Sequence, residues 1–226
     1  LDNNYSFRYV PANFTVTKAM LLVTADDQTK DYGQPNPELT FQYSGWKNED
    51  DETVLDTKPV GSTTVTFTTS PGLYEDAITI SGGIDNNYDF TYVAADFTVT
   101  KGILIAWLHP QTKAYGQPNP VLTYHYTGFM NGDDESVLDV KPWPETTVGE
   151  LSNVGVYNYA ITMVGGADDK YVLIDVPATF TVIKAKQQMV FSEISPKIYG
   201  DEPFSLNVTT TSGATVDFTS GDTGVA

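Results

Sequence analysis

The sequence predicts a mainly β chain, built as an elongated array of small tandem modules. First, the chain repeats itself, because residues 19–101 align with 102–184 without a gap and are identical at 41 of 83 positions. Second, apolar and polar residues alternate in short runs, as in strands that bury one face. Third, clusters of Gly and Pro separate these runs. Together these observations indicate repeated β-modules, which gain stability from contact with their neighbours.

The repeat divides the chain into four segments. Residues 1–18 match the end of the first full copy at 13 of 18 positions, so they are predicted to be the C-terminal strands of a preceding repeat. Residues 19–101 and 102–184 are the two full copies. Residues 185–226 keep a Tyr-Gly pair and then diverge, which indicates an incomplete module of another type. This phase predicts that the chain is a piece of a longer array.

Within each copy, the alternation predicts strands before and after one short helical turn. In the first copy the strand-like runs are Leu39–Ser44, Thr64–Phe67, Ala77–Ile80, Tyr88–Val93 and Phe97–Val99. The helical turn is predicted at 50–56 and again at 133–139, where Asp residues precede Val-Leu as they do at helix N-termini. Each copy then reads as two strands, a short helix and three strands. This order resembles a β-grasp, and an immunoglobulin-like sandwich is the alternative.

Composition excludes several classes of function. The 29 acidic residues outnumber 12 basic ones, giving a formal charge of −17 that disfavours binding to nucleic acid. Cysteine is absent, which excludes disulfides, zinc–thiolate sites and thiol catalysis. No apolar run reaches the roughly 18 residues of a membrane-spanning helix, so we expect no membrane span in this fragment.

The residues that perform acid–base chemistry are few, so the sequence predicts that the protein is not an enzyme and needs no cofactor. His109 and His125 are the two histidines, and Asp26 and Gln42 take their places in the first copy. Neither histidine therefore belongs to a repeated site, and we expect both to lie on the surface. No phosphate-binding or dinucleotide-binding glycine motif occurs.

Two acidic clusters are the candidate metal ligands. They contain Asp50 and Asp51 in the first copy and Asp133 and Asp134 in the second. Carboxylate oxygens suit calcium, but neither cluster has the spacing of a calcium-binding loop. Neighbouring acids also cannot all face one ion. We therefore expect solvated helix N-termini, with a weak calcium site as the alternative.

The most complete motif is the block Tyr-Gly-Gln-Pro-Asn-Pro, which occurs once in each copy. Gly permits a positive φ and the prolines fix an extended turn, so we expect a structural role. A loop that faces a peptide or glycan is the alternative. The residues concerned are Tyr32, Gly33, Pro35, Pro37, Tyr115, Gly116, Pro118 and Pro120.

The tryptophans are the candidate sugar-stacking residues. Trp46 becomes Phe129 in the second copy, which fits a buried aromatic position. Trp107 replaces Thr24 and Trp143 replaces Val60, so these two side chains are specific to the second copy. If any aromatic pair faces a ligand, we expect it to be Trp107 and Trp143.

These blocks together resemble the MBG repeat of the YGX type. The matching strings are Q-T-K-x-Y-G-Q-P-N-P-x-L-T, G-[WF]-x-N and D-D-E-[ST]-V-L-D, and the resemblance covers residues 1–184. Such repeats occur in tandem in very large bacterial surface and secreted proteins, many regarded as adhesins. The resemblance implies an extracellular or cell-surface location and a modular role. The segment from 191 to 226 is similar to part of a bacterial Ig-like module.

The leading hypothesis is therefore a structural or adhesive segment that acts as a spacer or interaction module, with an unknown protein or glycan as its ligand. The alternative is a carbohydrate-binding module for polysaccharide capture. The apolar face of Phe7, Tyr9, Phe14 and Val16 raises a further expectation: residues 1–18 pair with a sheet edge of another chain as a result of truncation. The competing explanation is that the structural domains are phased differently from the repeat.

Overall fold

The computed structural model describes residues 4–222, which form sixteen strands and two short 3-10 helices. This composition confirms the mainly β class. The chain divides into two compact units: the first is drawn from Leu1–Trp107, Tyr124–Pro144 and Met163–Val176, and the second from Leu108–Thr123, Glu145–Thr162 and Pro177–Ala226. The first unit thus holds the whole first copy and part of the second. None of the helices formed by 4–222 is long and apolar enough to cross a membrane.

The first copy forms two small sheets. Its elements in chain order are β1 (Ala19–Ala25), β2 (Gln28–Asp31), β3 (Phe41–Ser44), the 3-10 helix (Glu52–Val54), β4 (Val60–Thr63), β5 (Gly72–Ser81), β6 (Tyr88–Val93) and β7 (Ala95–Thr100). One sheet has the order β3-β1-β6 and the other β2-β7-β5-β4. Both are mixed, because β1 runs parallel to β6 and antiparallel to β3, while β7 runs parallel to β2 and antiparallel to β5.

The core of the first copy lies between these two sheets. Val23 of β1 packs with Ile78 of β5 and with Phe97 and Val99 of β7, and all four side chains are at most 2% exposed. Successive residues of a strand point to opposite faces, so the alternation in sequence places one face of each sheet in this core. The other faces lie at the surface.

The second copy repeats the same order of elements. They are β8 (Gly102–Leu108), β9 (Gln111–Ala114), β10 (Tyr124–Thr127), the 3-10 helix (Glu135–Val137), β11 (Trp143–Thr146), β12 (Gly155–Val164), β13 (Tyr171–Val176) and β14 (Ala178–Ile183). Its sheets have the orders β10-β8-β13 and β11-β12-β14-β9. Leu104, Phe180 and Val182 are buried at the positions of Leu21, Phe97 and Val99.

The strand prediction needs two corrections. Each copy has three strands before the 3-10 helix and four after it, one more on each side than predicted. The strand predicted at 64–67 is wrong, because β4 ends at Thr63 and a turn follows. The Thr63 hydroxyl accepts from the Val65 amide at 3.2 Å, and the Thr69 hydroxyl accepts from the Thr66 amide at 2.8 Å. These local bonds bend the backbone where the Thr-Val-Thr-Phe alternation indicated an extended chain.

Residues 4–18 form no strand, and all of them are exposed. Phe7 and Phe14, for example, are 67% and 90% exposed. Their counterparts in the first copy lie in β6 and β7, which pair with β1, β2 and β5. The strands predicted for 1–18 are thus absent from residues 4–18, and residues 1–3 lie outside the described residues.

The C-terminal segment contains two short strands. These are β15 (Met189–Phe191) and β16 (Val208–Thr210), which pair antiparallel. None of the described residues from 185 to 222 is buried. The ring of Phe191 meets that of Phe218 edge-on, with centroids 5.7 Å apart.

Candidate functional site: the joint between the copies

A buried lysine holds the Tyr-Gly turn of the first copy. Lys30 is 6% exposed, and its Nζ donates to the carbonyls of Gln34 at 3.0 Å and Thr66 at 2.5 Å. Asn36 adds a bond from Nδ2 to the Val65 carbonyl at 2.6 Å. Burial lowers the pKa of Lys30. The turn is thereby tied to the loop that follows β4.

The second copy builds its turn in the same way. Lys113 Nζ donates to the carbonyls of Gln117 at 3.1 Å and Gly149 at 2.6 Å, and Asn119 Nδ2 donates to Val148 at 2.5 Å. Gly149 stands where the first copy has Thr66. The hydrogen bond from the lysine therefore needs only a backbone carbonyl at that position and no particular side chain. The repeated Gln-Thr-Lys and Pro-Asn-Pro residues are thus parts of one bonded turn.

Tyr32 extends from this turn of the first copy to residues of the second. Its hydroxyl donates to Asp133 Oδ2 at 3.1 Å, and the hydroxyl of Tyr171 donates to the same oxygen at 2.9 Å. The two rings meet edge-on with centroids 5.5 Å apart. Tyr32 is 3% exposed and Tyr171 is 1% exposed. All three residues belong to the first compact unit. We call this contact the joint.

Three further contacts surround the joint. Asn131 Nδ2 donates to the Phe67 carbonyl at 3.2 Å, and Lys170 Nζ lies 5.5 Å from the centre of the Tyr32 ring, within cation–π range. Gly33 approaches Met130 so closely that a Cβ on Gly33 would overlap the Met130 side chain. Gly33 also has φ +81°, so both its backbone conformation and its surroundings require glycine.

The apolar core is continuous through the joint. The cluster of buried side chains that contains Val23 and Phe97 of the first copy also contains Leu104 and Tyr171 of the second. Burial, together with the bond to the Asp133 carboxylate, raises the pKa of Tyr171 to about 12. Its hydroxyl therefore keeps its proton, and the bond to Asp133, in the alkaline range where an ordinary tyrosine, with a pKa near 10, ionises.

The chain crosses the joint through a short, bonded linker. Lys101 Nζ donates to the Asp168 carbonyl at 2.8 Å, and the Gly102 amide donates to the Lys170 carbonyl at 2.9 Å. Strand β8 begins at Gly102. No flexible residues separate the last strand of the first copy from the first strand of the second, since β7 ends at Thr100.

A family model described as MBG domain (YGX type) matches residues 21–98 and again 104–181, which is more than half of the chain. The chain belongs to this family. Searches of curated proteins and of solved structures give no match. The joint therefore connects two successive MBG domains, because Tyr32 lies in the first matched range and Asp133 and Tyr171 lie in the second.

In both MBG copies the neighbouring aspartates have different partners. Asp51 and Asp134 cap the 3-10 helices, accepting from the amides of Thr53 and Ser136 at 2.8 Å each. These bonds lower the pKa of both carboxyls. Asp50 and Asp133 instead accept hydrogen bonds from the hydroxyls of Tyr88 and Tyr171. No group of three or more potential metal ligands occurs among residues 4–222.

The two tryptophans specific to the second MBG copy lie in different sheets. Trp107 of β8 is 40% exposed, and its Nε1 donates to the Thr127 hydroxyl at 2.9 Å. Trp143 of β11 is 53% exposed and lies against Gly165. By contrast, Trp46 packs between the rings of Tyr43 and Tyr88. The histidines at 109 and 125 are both exposed.

Sequence reasoning missed the joint. It treated Tyr32 as part of a turn within one MBG copy and Asn131 and Asp133 as part of an acidic cluster, and it did not single out Tyr171. One signal was present, because Tyr88 and Tyr171 are identical and so are Asn48 and Asn131. Identity at polar and aromatic positions outside the turn could have indicated a second repeated contact.

Proposed function

We propose that this chain is a non-enzymatic structural segment of a large bacterial surface or secreted protein, in which MBG copies act as a spacer or interaction module. The observation that carries the proposal is the joint, where Tyr32, Asp133 and Tyr171 share one buried contact. Buried contacts across a short linker restrict bending between neighbouring modules. The family, the absence of cysteine and the formal charge of −17 support the same role.

The stiffness of the joint can be measured by spin-label distances. Because the chain has no cysteine, Thr91→Cys and Val172→Cys place one label on each copy, at exposed sites of the first unit. We expect a narrow distance distribution in the parent chain and a broad one after Tyr32→Ala. Tyr115→Ala is the matched control, since Tyr115 has the same place in the second copy and is 42% exposed. A broad distribution already present without Tyr32→Ala would contradict the spacer role.

The surface location has its own test. Antibodies raised against the chain should label intact cells of the source bacterium, and added protease should remove that label without lysing the cells. Labelling that requires permeabilised cells would contradict the location. This result would leave the spin-label test of the joint unaffected.

A second candidate function is carbohydrate binding. It is favoured by the exposure of Trp107 and Trp143, which replace Thr24 and Val60, since exposed indole rings stack on sugars. A glycan array should then show saturable binding that Trp107→Ala or Trp143→Ala abolishes. Trp46→Phe, which copies the residue of the second copy, is the control that should keep binding. An array without binding would leave the spacer role as the single candidate.

The finer fold assignment belongs to the same proposal. In the first copy two facing sheets enclose the core, and the helical part is limited to three residues. This arrangement favours the immunoglobulin-like sandwich over the β-grasp, whose sheet is covered by a helix. We also propose that residues 185–226 form the first part of an Ig-like module. A longer chain that buries β15 and β16 would support this assignment.

A further inference from the structure

The first copy carries its own version of the surface that receives Tyr32 on the second copy. We call it the Asp50 socket and define it by Asn48, Asp50 and Tyr88. These residues correspond to Asn131, Asp133 and Tyr171 of the joint. They line a groove of about 470 Å³. All of its lining residues lie within the first unit.

The internal contacts of the socket reproduce those of the joint. Tyr88 donates to Asp50 Oδ2 at 2.7 Å, as Tyr171 does to Asp133 at 2.9 Å. The Tyr88 hydroxyl accepts from the Lys47 amide at 2.9 Å, and that of Tyr171 accepts from Met130 at the same distance. The socket is therefore formed before any partner binds.

The linker that leads into the socket is also formed. Lys18 Nζ donates to the Asp85 carbonyl at 2.9 Å, matching the bond of Lys101. The Ala19 amide donates to the Asn87 carbonyl at 2.8 Å, matching the bond of Gly102. Residues 1–18, which precede this point, match the end of an MBG copy at 13 of 18 positions.

Two contacts of the joint have no counterpart at the socket. Within residues 4–222, Asp50 Oδ2 accepts a hydrogen bond from one tyrosine hydroxyl, whereas Asp133 Oδ2 accepts from two. In the same range Asn48 Nδ2 has no carbonyl acceptor, whereas Asn131 Nδ2, at the equivalent position and with the same backbone φ of 56°, donates to the Phe67 carbonyl. Both missing groups, a tyrosine hydroxyl and a carbonyl, come at the joint from the Tyr-Gly side of a neighbouring copy.

We propose that the Asp50 socket binds the Tyr-Gly turn of another MBG copy. The tyrosine hydroxyl of that copy donates to Asp50 Oδ2, and Asn48 Nδ2 donates to a carbonyl of its loop after β4. The inference rests on the proposed role of the copies as array units. The occupant is identified by continuity with the joint, which is the same surface with its partner in place.

The sockets differ at two positions that adapt them to their partners. Lys47 stands where the joint has Met130, and Asn87 stands where it has Lys170. Each surface thus has one lysine at these two positions. A lysine stem packs against apolar groups while its ammonium stays solvated. Lys47 therefore offers an aliphatic stem where the joint has Met130, and it keeps one positive charge on the socket.

The test extends the full chain by one copy. Residues 19–83 are added before residue 1, so that 1–18 complete an additional MBG copy. Amide hydrogen exchange is then compared for residues 46–51 in the original and the extended chain, with 129–134 as the reference for an occupied surface. We expect exchange at 46–51 to slow about tenfold on extension. Replacing the tyrosine of the added Tyr-Gly turn by Phe should reverse part of this protection.

Two controls separate the possible outcomes. A second extension made from residues 102–166 supplies a different Tyr-Gly turn and should protect the socket as well. Folding of either added copy is verified by slow exchange in its strands. Unchanged exchange at 46–51 beside a folded added copy would overturn the inference. If Tyr32→Phe also left exchange at 129–134 unchanged, the proposed spacer role itself would fail.

Discussion

At the scale of single residues, Lys30 is an ammonium group buried on backbone carbonyls. Lys30→Met should destabilise the chain by about 1–3 kcal/mol, because the Gln34 and Thr66 carbonyls would lose their donor. Urea unfolding measures this loss. The control is Lys58→Met, since Lys58 forms an exposed ion pair with Glu52 at 3.2 Å that contributes roughly 0–1 kcal/mol. Equal effects of the two substitutions would contradict the role of Lys30.

Tyr43, unlike Lys30, buries a polar group that has no hydrogen-bond partner among the described residues. This group is its hydroxyl, and burial raises its pKa. Tyr43→Phe removes a desolvated polar group and keeps the ring, so the melting temperature should stay the same or rise. Tyr88→Phe should lower it, because that hydroxyl bonds Asp50 and the Lys47 amide. A drop after Tyr43→Phe would mean that the hydroxyl finds a partner.

The sequence could predict the turn but not its buried lysine. Gly and Pro indicate a turn by their backbone preferences alone. Lysine is almost never fully buried, so Lys30 reads as a surface residue in any single copy. Its recurrence as Lys113 was the signal available. The bond that buries it ends on a backbone carbonyl, which carries no residue-type signature.

At the scale of elements, the short helix was predicted and the strand after it was not. The helical turn is confirmed at Glu52–Val54 and Glu135–Val137, with Asp51 and Asp134 as caps. Asp before a Val-Leu pair is a local signal and needs no tertiary context. The prediction of a strand at 64–67 was wrong because the shape of threonine favours strands, yet its hydroxyl can also close a turn.

The two capping aspartates predict that the stability of the fold decreases at acidic pH. The pKa of Asp51 and of Asp134 is lowered by bonds from Thr53 and Ser136. A lowered carboxyl pKa in the folded state stabilises the fold above the unfolded pKa, and this contribution is lost as pH falls through the folded pKa. The melting temperature should therefore drop as the pH falls below about 4.

Asparagine provides the matched variant for this prediction. It caps helices about as well as aspartate but does not titrate. The double variant Asp51→Asn and Asp134→Asn should lose less of its melting temperature over that acid range than the parent chain does. An identical loss in both proteins would show that other carboxyls cause the acid effect.

At the scale of the whole molecule, the joint predicts that the stability of the fold decreases at alkaline pH. The pKa of Tyr171 is raised to about 12, whereas an unfolded tyrosine titrates near 10. The unfolded state loses its proton first, so stability falls as pH rises from about 10 to 12. Tyr171→Phe should make this fall shallower, as measured by urea unfolding at each pH. Tyr5→Phe, at an exposed site, should leave the slope unchanged.

The array could be predicted from the sequence, and the joint could not. An offset of 83 residues, repeated over several blocks, identifies tandem copies and their family. The joint brings together Tyr32 and Asp133, which are 101 residues apart. That separation differs from the repeat length, so a comparison of one copy with the other leaves the two residues at unrelated positions. A contact between neighbours appears only when both copies are folded.

The sharing of one carboxylate oxygen by two tyrosines also bears on how such chains change length. Each full copy carries both a tyrosine in its Tyr-Gly turn and an aspartate that accepts a hydrogen bond from its own second tyrosine. Recombination that gains or loses a whole copy would therefore leave a donor facing an acceptor at every new boundary. Under mechanical load the nearest-neighbour contacts would couple each module to the next, as in other linear repeats. The number of copies could then change without any compensating substitution at the boundaries.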